Sequence, residues 1–359
     1  MIRAGAVSAF YLFDIADEID LAGVPRALQT EPARARLEPK PYTPAYLQYQ
    51  TPPLVIDAEA LDLPDVGGCR VRVKVYDYGV VSLALSCPFA GTWDELAAAG
   101  QRLSGLDAQA ADICRTIAAR LQATLVRGRP PELSEDYLVY AVTELDERVT
   151  ADVLLEKHGE TVAALLRGER ETLSRQEYDE VLRHRLSYLA DDLVVPTWSS
   201  AFVYDTDAGV QAALEIFEFA NSQLLQFRYY DDLLDSELGR IYDSLERPRW
   251  YDRLVGRRLV RETLELHALF IDVNELTDKT ENAIKMVGDV YAARLYALVS
   301  ARLGLDQWKK NVEEKLDTLD DIYRFSVEQT HMSRANLLEL TIVLILVLEL
   351  ILVFMGIMK

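Results

Sequence analysis

Residues 337–359 read LLELTIVLILVLELILVFMGIMK, an almost unbroken apolar run. A helix that crosses a bilayer needs roughly 20 mostly apolar residues, because each advances about 1.5 Å through about 30 Å of hydrocarbon. The run meets that length once. The sequence therefore predicts a tail-anchored chain, with a folded body and one transmembrane helix over 337–358. The competing reading is a buried core helix, and two carboxylates argue for it. Glu339 lies near the start, within reach of the interface. Glu349 lies further on, roughly 15 Å deeper. An ionised carboxylate at that depth costs at least about 2.5 kcal/mol. Because the run is apolar on every face, the span is the better reading. Glu349 is then protonated or bonded to a neighbouring helix. A single span cannot enclose an ion pathway alone, so helix pairing is preferred.

Ahead of this run the chain has a folding composition, 50% hydrophobic and 27% charged. Its formal charge of −20 repels phosphate backbones and disfavours direct nucleic-acid binding. A basic stretch, Arg247, Arg249, Arg253, Arg257, Arg258 and Arg261, reads as a solvated turn or as a partner or headgroup contact. The three cysteines, Cys69, Cys87 and Cys114, form no close pairs and indicate neither a disulfide framework nor a zinc site. A reducing compartment fits. The N-terminus turns acidic early and lacks a cationic signal region. The expected location is a bacterial inner membrane, single-pass, with the bulk of the chain in the cytoplasm.

The first 204 residues alternate strand and helix signals. Residues 5–13 and 137–144 read as strands, and 193–204 as one or two more. In 70–86, Val71, Val73 and Val75 alternate with Arg70, Arg72 and Lys74, which implies one buried and one solvated face. Asp77-Tyr78-Gly79 supplies a hairpin turn. Thr92 with Glu95 forms a capping-box pattern that opens a helix running to Arg127, and 151–185 is helical. Seven prolines between 25 and 53 keep that piece irregular. The expected class is α+β, a mixed or antiparallel sheet with helices on one side. A long helical hairpin follows over 205–304, then a stalk helix over 305–336 and the anchor. With no proline or glycine between stalk and anchor, 306–355 can form one helix about 75 Å long.

The hairpin carries the polar residues that stand out. If antiparallel positions whose numbers sum to about 503 face each other, Glu218 meets Lys285, Asn221 meets Asn282 and Arg228 meets Glu275. Buried polar layers of this kind fix register. The residues assigned to assembly or partner contact are Glu218, Asn221, Arg228, Asp231, Glu275, Asp278, Asn282, Lys285, Asp289 and Arg294. Glu339 and Glu349 are the intramembrane polar pair. Catalytic signals are missing. Only one Glu-x-x-His occurs, Glu328 with His331, where a di-metal bundle needs two. There is no nucleophile elbow, P-loop or dinucleotide fingerprint. No cofactor or metal is expected.

The segments ALEIFEFANSQLLQFRYYDDLLD (213–235), ELHALFIDVNELTDKTENAIKMVGDVYAARLY (265–296) and NLLELTIVLILVLELILV (336–353) resemble the Required for Meiotic Nuclear Division family. So does RVKVYDYGVVSLAL at 72–85. The resemblance implies a C-terminal membrane anchor, oligomerisation and, from a mitochondrial relative, support of translation as a ribosome tether. It implies no catalytic residues. The function expected is a non-enzymatic membrane scaffold that self-associates and presents a cytoplasmic domain to a protein partner, with the ribosome one candidate. The alternative is an enzyme or ligand-binding module whose pocket lies on the polar face of the hairpin.

Overall fold

The computed structural model describes residues 1–30, 33–34, 51–57, 69–246, 271, 274 and 290–354. Alternating apolar residues build the strands. They are β1 (Ile2–Asp14), β2 (Glu18–Ile19), β3 (Ala33–Arg34), β4 (Leu54–Asp57), β5 (Arg70–Val75) and β6 (Val80–Gly91), then β7 (Leu125–Val126), β8 (Ser134–Leu145), β9 (Leu193–Pro196) and β10 (Ser200–Tyr204). Eight of them form one sheet in the order β3-β4-β5-β6-β1-β8-β10-β9, while β2 pairs with β7. Every neighbour in the large sheet is antiparallel except β8 with β10, so the sheet is mixed. The class is α+β, as the alternation predicted.

Helices cover both faces of the sheet, where one was expected. On the first face, α2 (Trp93–Leu103) and α3 (Asp107–Leu121) pack on β1 and β6, the short α1 (Val24–Leu28) packs on α3, and α4 (Ala151–Arg167) packs on β10. Val7, Ala9, Tyr11 and Phe13 of β1 and Val71, Val73 and Val75 of β5 point into this apolar core. The intervening residues point the other way, and α6 (Asp207–Glu246) covers them. There the Phe217 ring stacks on Tyr137 with centroids 5.4 Å apart. The alternation of 70–75 is therefore real, but its second face is solvated only at the start. Arg70 is exposed, whereas Lys74 is 4% exposed beneath α6.

Local signals acted as the sequence indicates. Thr92 and Glu95 close a full capping box on α2. The helical stretch that follows is not continuous. Ser104 ends α2, and α3 opens two residues after Gly105. Gly168 in the left-handed region ends α4, and α5 (Arg175–Arg183) restarts from a Ser174 cap. Gly304, also left-handed at φ 68°, separates α7 (Val290–Leu303) from α8 (Leu305–Phe354). The cysteine expectation fails. Cys69 and Cys87 stand opposite each other at the open end of the β5–β6 hairpin and are joined by a disulfide, Cα atoms 4.4 Å apart.

The chain divides into two compact units, Met1–Tyr229 with Leu276–Trp308, and Tyr230–Glu275 with Lys309–Lys359. In the second unit Leu234, Val312, Leu316 and Leu319 are buried. Lys315 Nζ lies 2.7 Å from both Asp231 and Asp235. The predicted stalk and anchor share the single helix α8. Among the described residues no helix is long and apolar enough to cross a membrane. Many side chains of the predicted span lie outside that description, as do 355–359.

The β5–β6 turn supplies a stability test. Gly79 has φ +88°, and a Cβ there would lie 1.8 Å from the Ala16 carbonyl oxygen. Both the backbone conformation and the contact exclude a side chain. Gly79→Ala is expected to cost about 3 kcal/mol or more. Urea denaturation of the variant against wild type checks this.

Candidate functional site: a polar seam under helix α6

Glu215, Glu218, Ser222 and Tyr229 fall on one line of α6, at helical spacings of three, four and seven. An apolar line beside it, Ala213, Phe217, Ala220, Leu224 and Phe227, is fully packed. The polar line meets the second face of the sheet, and each of its members takes a partner from the sheet or its loops.

Lys74 of β5 anchors the first part. Its ammonium donates to Glu215 Oε2 at 2.7 Å and to Glu218 Oε2. Burial pulls the Lys74 pKa down, but Glu218 and Glu215 more than reverse this and leave it above the ordinary lysine value. The next contact is Tyr78, whose OH lies 2.7 Å from Ser222 Oγ. Ser222 Oγ itself donates to the Phe219 carbonyl, so Tyr78 is the donor. Burial raises the Tyr78 pKa well above the ordinary value, which keeps that proton in place.

Arg129 anchors the far end. Its Nε and Nη2 each donate to Asp14 at 2.9 Å, a bidentate fork. Nη2 also reaches the Ala16 carbonyl at 2.7 Å, and Nη1 donates to Tyr229 OH at 2.8 Å and to Asp17. The guanidinium also lies over the Tyr229 ring. Arg127 pairs with Asp17, and Arg228 of α6 pairs with Glu135 of β8. Asp14 is fully buried, and burial pushes its carboxyl up to about 6 against the pull of Arg129.

This geometry engages the described sequence candidates structurally. Glu218 pairs with Lys74 and Arg228 with Glu135, both partners from the sheet domain. Asn221 donates to the Phe217 carbonyl at 2.8 Å within its own helix. Asp231 takes Lys315, and Arg294 is exposed on α7. Glu275, Asp278, Asn282, Lys285 and Asp289 lie outside the described residues, as does the Glu339 side chain; Glu349 is exposed. The described part of the hairpin has a different register from the one predicted. Tyr296 donates to Gln223 and its ring packs on Phe219, where the predicted register would set it against the first turn of α6. Sequence reasoning missed Lys74, Arg129 and Asp14. The available signal was a lysine ending an Arg-Val-Arg-Val alternation just before Tyr76.

As chemistry, the seam is a set of ion-paired charges, with the single Lys74 ammonium shared by Glu215 and Glu218. Among the described residues no group of three or more His, Cys, Asp or Glu is arranged to hold a metal ion. His158 packs against Trp93, ring centroids 4.9 Å apart, with its pKa lowered by burial. A cavity of about 430 Å³ lies away from the seam, between α4 and α5, lined by Asp152, Glu156, Arg175, Tyr178, Arg183 and Arg185 among others.

Fold and seam together define an α+β domain whose mixed sheet is closed on one face by a long polar-striped helix. The family model for the N-terminal domain of the uncharacterized protein MJ0711 matches residues 4–211, and the chain belongs to that family. The uncharacterized protein MJ0711 of Methanocaldococcus jannaschii is 26% identical over 218 residues, which cover 61% of this chain. The chain spans 65% of the length of that relative. No solved structure matches. This corrects the resemblance to the Required for Meiotic Nuclear Division family, and the support it lent to a translation role falls with it. Most of the segments that carried that resemblance lie beyond residue 211. Amphipathic helices and an apolar end recur in unrelated chains.

Two outcomes test the seam. Lys74→Met leaves Glu218 buried without its cation and is expected to cost about 3–5 kcal/mol in urea unfolding. The triple change Lys74→Met, Glu215→Gln, Glu218→Leu is expected to recover most of that loss. For Asp14, a folded-state value near 6 against 3.8 means the native chain holds a proton that the unfolded chain has lost over that interval. Its contribution to stability is therefore full below pH 3.8 and is lost as pH rises through 6. Asp14→Asn removes this dependence. The wild-type advantage over the variant should grow between pH 7 and pH 4, measured by denaturation at each pH.

Proposed function

We propose that the chain is a non-enzymatic membrane scaffold that self-associates and holds its α+β domain out to a protein partner. One observation carries the reading. The 50-residue helix α8 carries Ile342, Val343, Ile345, Leu346 and Val347 in its C-terminal part, each at least 50% exposed. A cluster of exposed apolar side chains is stable only where lipid or another protein covers it. Residues 337–358 have the length and composition to insert in a bilayer. On this reading Glu349, exposed on the same stretch, bonds across to a second copy of the helix.

The seam supports the scaffold reading independently. Its charges are buried and paired, which suits a rigid body held on a helix and does not suit proton transfer or substrate binding. We place the bulk of the chain on the cytoplasmic side of the cytoplasmic membrane. The net charge of −20 favours a protein partner over nucleic acid. The alternative, a ligand pocket on the hairpin, would need α6 to present its polar side chains to a cavity. Glu218, Asn221, Ser222, Gln223 and Gln226 are instead each at most 2% exposed.

The full chain is expected to stay with the membrane pellet through an alkaline carbonate wash. Val343→Arg with Val347→Arg is expected to release it. Recovery of the wild-type chain in the supernatant overturns the anchor. The detergent-extracted chain is expected to have the mass of a discrete oligomer that Glu349→Leu weakens; an unchanged mass removes Glu349 from assembly.

A further inference from the structure

We propose that Cys69 and Cys87 are a reversible dithiol–disulfide couple that ties or frees the open end of the β5–β6 hairpin, exchanging with small thiols of the glutathione class. The pair is built into the sheet. Arg70 faces Ser86 in the ladder, so Cys69 and Cys87 are the next pair outward, with Cα atoms 4.4 Å apart. That separation closes a disulfide without moving the backbone. Both residues are half-buried, which leaves the bond open to attack in the folded chain. Exposed disulfides are the labile ones, whereas sealed ones resist exchange.

The rest of the molecule isolates this couple. Cys114 is buried on α3, and burial pushes its thiol well above the ordinary range, so it stays protonated and does not enter exchange. The hairpin is held elsewhere by other means. Gly79 seats the turn on Ala16, and Lys74 pins the turn end of β5 to α6. The disulfide is the covalent tie at the remaining end. Among the described residues the sheet continues beyond β5 through the short strands β4 and β3. Loosening the start of β5 therefore loosens that whole edge.

The exchange balances with two thiols. One thiolate attacks a cystine sulfur, forming a mixed disulfide and expelling the other cysteine as a thiolate, which takes up a proton. A second thiolate attacks the mixed disulfide at the small-molecule sulfur and expels the remaining cysteine. Two electrons pass from the two small thiols to the protein, and a small disulfide leaves. The inference does not depend on the membrane reading.

The test equilibrates the full chain in buffers of stepped reduced and oxidised glutathione. Each sample is quenched in acid, denatured and alkylated with a maleimide, and the added mass is counted. With three cysteines in the chain, three labels are expected at the reducing end and one at the oxidising end, with a transition between. Cys69→Ser with Cys87→Ser is expected to take one label throughout. The oxidised wild type is expected to melt about 5 °C or more above the reduced form. Three labels in every buffer mean that no bond forms, and one label in every buffer means a permanent staple; either result overturns the proposal. Equal melting temperatures of the two forms overturn it as well.

Discussion

The contact of Lys74 with Glu215 and Glu218 is the constraint on which the sheet domain turns. A lysine 4% exposed within a strand is tolerated only with anionic partners, because an isolated buried charge costs far more than any fold can spare. β5 cannot take its place in this sheet unless α6 arrives with both carboxylates in line. Glu215 and Glu218 stand three residues apart, so one turn of helix presents both to a single ammonium. The coupling runs in both directions, because Glu218 is as deeply buried as Lys74. The family match ends at residue 211, a few residues into α6. The domain that defines the family is thus closed by chain that lies beyond the match.

A polar seam does something that an apolar one does not. Apolar stripes on a helix repeat every seven residues, and a helix held only by them can slip by one repeat at small cost. Here three kinds of contact are fixed at separate points: an ammonium between two carboxylates, a tyrosine on a serine, and a guanidinium fork reaching Tyr229. A slip would leave Lys74 and Glu218 buried without partners and take Tyr229 from Arg129. The net gain in stability from such pairs is small, since desolvation offsets most of the attraction. Their effect lies in excluding the wrong registers.

Much of this fold is legible in the sequence, and the parts that are not share a cause. The capping box at Thr92, the alternation of β5 and the break at Gly304 are local, and local signals survive in a single chain; the break at Gly168 instead falls inside the stretch 151–185 predicted as helical throughout. Which side of a sheet is solvated is not local. Arg70 and Lys74 occupy equivalent positions in the same alternation, yet only the distant Glu215 and Glu218 decide that one is exposed and the other buried. The described part of the hairpin departs from the predicted register for a related reason. Heptad stripes fit equally well at several offsets, and at Tyr296 the contact with Phe219 and Gln223 differs from the offset that charge matching selected, while Glu275, Asn282 and Lys285 lie outside the described residues. The disulfide could have been found. Once Asp77-Tyr78-Gly79 is taken as the turn, residues equidistant from Tyr78 face each other, and Cys69 and Cys87 are such a pair.

The two ends of β5 are thus secured by different chemistry. At the turn, a glycine in the left-handed region brings the hairpin against the Ala16 carbonyl, beside the Asp14–Arg129 fork. At the opposite end a disulfide closes the ladder. Between them Lys74 reaches out of the sheet to α6. A strand with four residues on one side and twelve on the other has little ladder to hold it towards the β4 edge. The side-chain and covalent ties fall on the strand next to that short edge. That position explains why a chain with only three cysteines places two of them there. β5 is also the strand on which Lys74, buried among the described residues, meets α6.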